Sequence, residues 1–482
     1  MSEPGARKLH PRGDTLGAGT AVRGGAAVGG GAAARGGAAV GLAIAAATVG
    51  VIPVFLTGAL GVQLRHDLHL GSADIGMAVA VFFGSSALCS VTGGRLAERL
   101  GALTMMRVAS VFSLASMIGL GVTARDLWSL LALLVVGGIS NGLVQPAVNL
   151  YLADRVRSRR QGLAFGIKQA GIPTATLLSG LAVPALALTA GWQAAYLAGA
   201  GLVVGVMAAL FASRSATVPG RQGRPGRPAT SRGSATGTTG RLAPRAGAPA
   251  VSAAAMAGVR VGAEPLAPPG AGRLGLWPLV LMAAGMAGPV AASTALGAFV
   301  VPSAVDHGVA AGYAGLLSAM GSVVGLSARV GQGWRADAGV HEGVPAAVRH
   351  LATVVGMVSA GVLGYLGLAS GIHALLVPGV VLAYGAGWGF NGLFNLAVVR
   401  AYAHGPARAT GVTQIGTYAG GMVGPLCFGI LVDRSGYGAA WAMCAGLAAV
   451  GGTTLLLARR HLGRAAPARQ LVVSPAGCEA PP

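Results

Sequence analysis

Amide side chains recur at helical spacing inside long apolar stretches of this sequence. Asn141, Gln145 and Asn149 stand four residues apart, which places all three on one face of a helix. An amide both donates and accepts hydrogen bonds, and inside an apolar helix it is costly unless it faces a cavity or a partner. The spacing therefore indicates a surface that binds a polar molecule, or a set of hydrogen bonds between helices.

A second polar group lies in the other half of the chain, around Trp388, the one tryptophan near the middle of an apolar segment. Asn391 follows within one helical turn of Trp388, whose ring can wall or stack on a bound molecule. Lys168 is the one basic residue well inside an apolar segment; it either attracts an anion or extends its ammonium group to the membrane surface. The candidate substrate-binding residues are Asn141, Gln145, Lys168, Ser293, Trp388 and Asn391, with Thr294 beside Ser293. For Asn141 and Asn391, binding and interhelical hydrogen bonding both stay open.

Residue types that carry catalysis or bind metals form no recognisable set in the sequence. The four cysteines form no C-x-x-C pair, so neither a disulfide framework nor a metal site is expected. Without a nucleophile constellation or a soluble catalytic domain, we predict no enzyme and no cofactor. Asp and Glu are missing from the middle of the apolar segments, where proton relays usually place them, so the coupling ion stays open.

The elements that must position these residues are membrane-spanning helices. Only 10% of the residues are charged and 54% are hydrophobic, and an apolar run of about 20 residues crosses the hydrocarbon core as a helix. The sequence predicts an all-α membrane protein with twelve transmembrane helices. Their approximate ranges are 38–64, 72–94, 103–123, 127–152, 163–188, 192–212, 277–301, 311–333, 345–370, 373–400, 409–432 and 438–458.

Composition divides the chain into two helical bundles and three polar segments. Residues 38–212 and 277–458 are predicted as six-helix bundles, joined by a disordered Arg/Pro/Gly-rich linker at 213–276. The linker holds too little apolar surface to fold alone. Residues 1–37 are predicted as a disordered basic tail without the apolar core of a signal peptide, and 459–482 as a second tail.

The net charge of +21 follows membrane topology, because all the Lys and Arg residues except Arg65, Arg125 and Arg434 fall on one side of the predicted spans. Cytoplasmic loops carry such an excess of basic residues. Both termini are therefore expected in the cytoplasm, and nucleic-acid binding is not expected. The many glycines and the preference for Arg over Lys suggest a GC-rich bacterial genome, hence the bacterial inner membrane.

Short motifs recur in the two halves in the same order. The sequence N-G-L at Asn141 recurs at Asn391, each time followed by A-V at the same spacing. Gln169 and Gln414 then occupy matched places at the start of the next segment. The repeat predicts two pseudo-symmetric six-helix bundles with a shared site between them near the midplane.

The segment from Gly94 to Gly101, G-R-L-A-E-R-L-G, resembles the cytoplasmic signature of the major facilitator superfamily, with Glu98 in place of the usual Asp. The resemblance implies transport of a small molecule through the lipid bilayer by alternating access, and we expect a monomer. The glycine-proline pattern of the family's antiporters is better formed at Gly424-Pro425 than at Ala175-Thr176, its usual place, which weakens drug/proton antiport. We predict a secondary active or facilitative transporter of a small polar or anionic organic solute; the alternative is a drug or metabolite efflux transporter of the same fold.

Charged and polar residues near the cytoplasmic ends of the spans are candidates for a gate. A carboxylate beside arginines at a helix end can pair with a neighbouring helix in one conformation only, or it can serve topology alone. The candidate gate residues are Arg95, Glu98, Arg99, Asn149, Asp154, Arg155, Gln169, Arg329, Asp337, Asn395 and Gln414, with Arg335, Arg400 and Arg408 as possible partners.

Overall fold

A computed structural model describes residues 21–155, 168–213, 275–338, 343–403 and 405–465, and all regular structure in these residues is helical. The predicted linker at 213–276 therefore lies almost entirely outside the described residues. The helices of the first half are α1 (Ala21–Ala59), α2 (Gly61–Asp67), α3 (Ser72–Leu100), α4 (Ala102–Thr123), α5 (Leu127–Arg155), α6 (Gly171–Ala190) and α7 (Trp192–Ala212). Those of the second half are α8 (Leu276–Asp306), α9 (Ala311–Ala338), α10 (Gly343–Ala369), α11 (His373–Gly385), α12 (Asn391–Ala401) and α13 (Pro406–Ala465).

Within the described ranges, ten helices are long and apolar enough to cross a membrane. The all-α membrane class is therefore confirmed, whereas the count of twelve stays a prediction. One of the ten, Arg408–Arg464, contains Gly436 with φ 80° and ψ 175°, a left-handed conformation that favours glycine and interrupts the helix. The shorter α11 is apolar but has only 13 residues.

The three largest departures from the predicted ranges concern α1, α13 and the helix predicted for 373–400. α1 begins at Ala21, inside the predicted tail; alanine favours helix, and lengthening an existing helix needs no new nucleus. α13 continues to Ala465, seven residues beyond the predicted end at 458. The single helix predicted for 373–400 is broken at residues 386–390, where Gly385, Gly387 and Gly389 alternate with other residues and weaken the helix.

α6 contains a π-helical turn at Val183–Ala187. Pro184 lies in this turn, and a proline inside a helix removes one backbone hydrogen bond and clashes with the preceding turn. A π-bulge accommodates such a residue. Gly180, one turn earlier, packs against α9: a methyl group on it would lie 2.6 Å from the Gly315 carbonyl oxygen.

The two halves of the chain meet mainly along three helix pairs: α1 with α8, α3 with α13, and α6 with α9. Backbones touch where glycine removes the side chain. A methyl group on Gly58 would lie 2.5 Å from Cα of Ala298, and one on Gly76 would collide with the Pro425 carbonyl. Small residues allow such close approach between membrane helices.

The described helices end at two opposite faces of the bundle. The Asp433 face is the end that carries residues 60–71, 306–310, 370–373 and 433–437, which contact one another across the two halves. The Glu98 face is the opposite end, with Arg95, Glu98 and Arg99. Sequence charge predicts that the Glu98 face is cytoplasmic.

Candidate functional site

Asn141 lies inside the first half, where both ends of its amide are engaged. It is 2% exposed, its Nδ2 donates to Ser86 Oγ at 3.1 Å, and its Oδ1 accepts from Gln145 Nε2 at 3.1 Å. Ser86 in turn donates to the Gly138 carbonyl at 2.9 Å. This network joins α3 to α5, so the geometry favours the interhelical role for Asn141.

The binding candidates of the second half lie at the broken helix and on α8. Asn391 is half-buried at the start of α12, and its Nδ2 donates to the Trp388 carbonyl at 3.3 Å. Ser293 is buried and donates to the Val290 carbonyl of its own helix at 3.2 Å, and Thr294 beside it is also buried. Asn391 thus bonds to the break at 386–390, whereas Ser293 bonds within its own helix.

Lys168 and Gln169 lie just before α6. Lys168 is half-buried and has no hydrogen bond or ion pair with another described residue. The carbonyl of Gln169 lies in a turn, so it is free of the helical ladder and accepts a hydrogen bond from the opposite half of the chain.

The charged gate candidates at the Glu98 face are solvent-exposed: Arg95, Glu98 and Arg99. Among the described side chains the one ion pair joins His66 and Asp67, on the other face. The side chains of Asp154, Arg155 and Asp337 lie outside the described residues, so pairing of Glu98 with Asp154 or Arg155 stays a prediction. Of the polar gate candidates, Asn149 and Gln414 are exposed and Asn395 is half-buried. Of the proposed partners, Arg335 is exposed, while Arg400 bonds to His350 and the Ala336 carbonyl.

Arg329, a gate candidate, lies deep in the bundle between the two halves. It is 2% exposed on α9. Its Nη1 donates to the Gln169 carbonyl of the first half at 2.8 Å, and its Nη2 donates to the Trp388 carbonyl of the second half at 2.9 Å. Both carbonyls lie in turns, where helix ends leave carbonyl oxygens without helical partners. Arg329 therefore brings together Gln169, Trp388 and, through the same carbonyl, Asn391.

Aromatic rings from both halves pack around Trp388, whose own ring contacts Arg329. The guanidinium carbon lies 5.6 Å from the Trp388 ring centroid, within the range of a cation–π contact. Trp388 also packs on Phe55 of α1 and on Tyr384 of α11, each at 5.6 Å between centroids, and Phe55 lies 6.5 Å from Phe83 of α3. Phe55, Phe83 and Tyr384 were not predicted from the sequence. Aromatic residues make up only 5% of the chain, so an aromatic residue in the middle of an apolar segment could have indicated them.

Hydroxyl groups continue the contact between the halves toward the Asp433 face. Thr176 of α6 and Ser322 of α9 share a hydrogen bond of 2.8 Å across the two halves, and Ser318 and Tyr384 share one of 3.1 Å within the second half. All four side chains are buried. These buried side chains lie between Arg329 and the Asp433 face and pack the bundle there.

Asp433 closes the Asp433 face by capping a helix of the opposite half. Its carboxylate accepts the backbone N–H groups of Ser72 at 2.9 Å and Ala73 at 2.7 Å, the first residues of α3. A carboxylate at a helix N-terminus satisfies free N–H groups and interacts favourably with the helix dipole. Nearby, Arg65 Nη1 donates to the Tyr437 hydroxyl at 3.3 Å. We call the contact between Asp433 and α3 the Asp433 latch.

Comparison with known proteins places these features in a family. The Major Facilitator Superfamily matches over residues 38–425. The chain is 31% identical over 132 residues to the Quinolone resistance protein NorA of Staphylococcus aureus (strain N315), and 29% identical over 130 residues to Multidrug resistance protein 1 of Bacillus subtilis (strain 168). Each match covers 27% of this chain and 31% of the relative, so the chain aligns with less than a third of either relative's length. The family match, which covers most of the chain and includes the signature at Gly94–Gly101, shows that the protein belongs to the major facilitator superfamily of membrane transporters.

Proposed function

We propose that this protein exports small organic solutes by alternating access, with its substrate site where Arg329 meets both halves of the chain. The observation that carries the proposal is the broken helix at 386–390. Discontinuous helices in transporters expose backbone groups at the substrate site near the midplane. Here the backbone carbonyl of Trp388 accepts a hydrogen bond from the buried guanidinium of Arg329. The proposal adopts the efflux alternative in place of the main sequence prediction, a transporter of a small polar or anionic organic solute with no assigned direction.

The proposed architecture is twelve spans in two six-helix bundles. α11 and α12 together form one interrupted span, and the two parts of α13 on either side of Gly436 form two spans. With the nine other membrane-capable helices this brings the count to twelve. An even number of spans places both termini on one side, and the basic loops assign that side to the cytoplasm.

The contacts between the halves support a cycle that opens one face at a time. The Asp433 latch and the glycine contacts at Gly58 and Gly76 hold the Asp433 face shut. Rocking of the bundles would break these contacts and open the Asp433 face. Arg329 bonds to both halves, so its hydrogen bond to the Gln169 carbonyl would also change during the cycle.

The direction of transport rests on the relatives. Their names describe resistance to quinolones and to multiple drugs, and resistance by a transporter means export. Uptake of a small polar or anionic solute is the second candidate. Arg329 has no acidic partner among the described residues and would attract an anion moved in either direction. Accumulation assays separate the two, because export lowers and uptake raises the internal concentration.

The test is solute accumulation in a bacterial host that lacks its own efflux pumps. The probes are a quinolone antibiotic, ethidium and 2-naphthoate, compared in cells with and without the protein. We expect a lower internal level of at least one probe. Unchanged levels of all three would contradict export, and a raised level of 2-naphthoate would favour uptake.

Two glycine variants control this assay. Gly76→Val places a side chain against the Pro425 backbone, which should prevent closure of the Asp433 face. Cells with this variant should then accumulate the probes to the same level as cells without the protein. Gly205→Val is the matched control, because a methyl group on Gly205 meets nothing within 4 Å. Immunoblots of the membrane fraction verify that both variants insert. If Gly76→Val inserts and exports at the parent rate, closure through these glycine contacts is not part of the cycle.

A further inference from the structure

We propose that Arg329 and the ring pair Phe55–Trp388 form the carboxylate end of the substrate site, and that the transported solute is a flat aromatic carboxylate. The inference rests on the proposed transport function and names its substrate class. It assigns to Arg329 a binding role in addition to the contact it makes between the halves.

The charge of Arg329 is not balanced within the described residues. Arginine stays charged under all conditions that proteins meet, and a charge held in a membrane protein away from water is costly unless it is paired. The partners present are two backbone carbonyls, Gln169 and Trp388, which are dipoles rather than anions. No carboxylate of a described side chain forms an ion pair with Arg329. A bound anion would supply the missing negative charge.

The guanidinium also retains donors with the geometry of a carboxylate. A guanidinium has five N–H donors in a planar fork, and two of its nitrogens hold the carbonyls. Nε of Arg329 is buried and has no hydrogen-bond partner among the described residues. An adjacent pair of donors on one edge of the fork matches the two oxygens of a carboxylate. Each η nitrogen has a second N–H group, so Nε–H and a remaining N–H of the η nitrogen beside it can together donate to the two oxygens of a carboxylate.

The Phe55 and Trp388 rings indicate that the rest of the ligand is flat and aromatic. Phe55 belongs to α1 and Trp388 to the break between α11 and α12, so their contact joins the two halves and has to part when the halves separate. Gly297 of α8 makes room for both: a methyl group there would lie 2.7 Å from the Phe55 ring and 2.8 Å from the Trp388 ring. A flat aromatic ligand inserted between them would replace one ring contact with two.

The alternative is that Arg329 only ties the two halves together through their carbonyls. The two roles differ in how the ligand's charge matters. A purely structural arginine affects all ligands alike, whereas a binding arginine distinguishes a carboxylate from a neutral group of the same shape. A matched ligand pair, 2-naphthoate and 2-naphthamide, tests this difference.

The experiment measures both affinities by equilibrium dialysis on the full-length protein in detergent. The proteins are the parent, Arg329→Gln, Arg329→Lys and Arg107→Gln. Arg107 is the matched control, because it also donates to backbone carbonyls, those of Leu210 and Ser213, and lies 5.0 Å from the Phe211 ring, but away from the interface between the halves. Exchange of labelled 2-naphthoate and of ethidium in proteoliposomes loaded with the same unlabelled solute measures transport without a coupling ion.

We expect the parent to prefer 2-naphthoate, and Arg329→Gln to lower the preference over 2-naphthamide by about tenfold or more, the loss of a charge-assisted pair of hydrogen bonds. Arg329→Lys, which keeps charge but not the fork, should lose part of it, and Arg107→Gln none. If Arg329→Gln does not fold, the parent's preference and the Lys variant decide.

Equal loss of affinity for both ligands in Arg329→Gln, or a parent that binds 2-naphthamide as tightly as 2-naphthoate, would overturn the inference. Exchange of ethidium but not 2-naphthoate would overturn the substrate class and leave export standing; exchange of neither would count against both.

Discussion

Asn141 is almost fully buried, and both ends of its amide bond to neighbours within the first half of the chain. Asn391, its counterpart in the repeat, is half-buried and bonds to the carbonyl that also holds Arg329. The same motif therefore occupies two environments. At the residue scale, the repeat indicates matched positions in the fold but not matched roles.

Replacing each asparagine by alanine separates the two roles. We expect Asn141→Ala to lower the free energy of unfolding by about 1 kcal/mol, typical of an interhelical hydrogen bond in a membrane protein, and to leave transport per folded molecule unchanged. Asn391→Ala should reduce transport with a smaller effect on stability. Thermal unfolding in detergent and solute exchange in proteoliposomes measure the two quantities. Normal transport by both variants would exclude both asparagines from the site.

Gly297 sets the space available to the central rings. Gly297→Ala should lower transport of an aromatic solute, because the new methyl group lies within 3 Å of the Phe55 and Trp388 rings. Phe55→Leu removes one of these close contacts but also one of the two rings proposed to hold the ligand. It should therefore lower transport on its own and cost less in the Gly297→Ala background. Exchange rates of the single and double variants give the coupling directly. Additive losses in the double variant would mean that the two positions act independently.

At the scale of elements, the Asp433 latch joins the first part of α13 to the beginning of α3. Each helix belongs to a different half of the chain, so this cap differs from an ordinary N-cap, which comes from the preceding residue. The cap exists only while the two helices are in contact. One carboxylate therefore contributes to the stability of the closed Asp433 face, beside the glycine contacts.

Removing the charge of Asp433 should weaken this closure. In Asp433→Asn we expect the interaction with the α3 N-terminus to lose about 0.5–2 kcal/mol, which raises the population of the open Asp433 face by about two- to thirtyfold. The measurement is the labelling rate of Ala73→Cys, in a background without other cysteines, by a membrane-impermeant maleimide. Glu98→Gln, on the opposite face, is the control. An unchanged labelling rate in Asp433→Asn would show that the latch does not limit opening.

For the whole molecule, the arrangement of charge decides orientation. The basic residues concentrate on the side of the Glu98 face, and Asp67, Asp74, Asp126, Asp306 and Asp433 lie at the other ends of the helices. The positive-inside rule therefore assigns the Glu98 face to the cytoplasm. Under the proposed function, the Asp433 face would then be the one that releases the exported solute.

Reporter fusions test orientation and span count together. Alkaline phosphatase fused after Gly308, Gly371 or Gly436 should be active, because these turns are expected outside the cytoplasm. Green fluorescent protein fused after Gly101 or Ala338 should fluoresce, because these positions are expected inside. The reverse pattern would place the Asp433 face in the cytoplasm, and equal reporter states after Gly308 and Ala338 would remove α9 from the spans.

Local sequence determined the membrane class, the approximate positions of most helices and the family signature, because hydrophobic runs, charge bias and motif spacing are properties of neighbouring residues. It also identified Trp388, Asn391 and Gln169 as residues of interest. The alternating glycines around 386–390 favour a break in the helix, but the apolar residues on both sides predict one continuous span. Only the tertiary structure placed Arg329 between the Gln169 and Trp388 carbonyls, Phe55 against Trp388, and Asp433 on the α3 N-terminus. These contacts join residues far apart in the chain, so they depend on how the two halves pack, which no local pattern encodes.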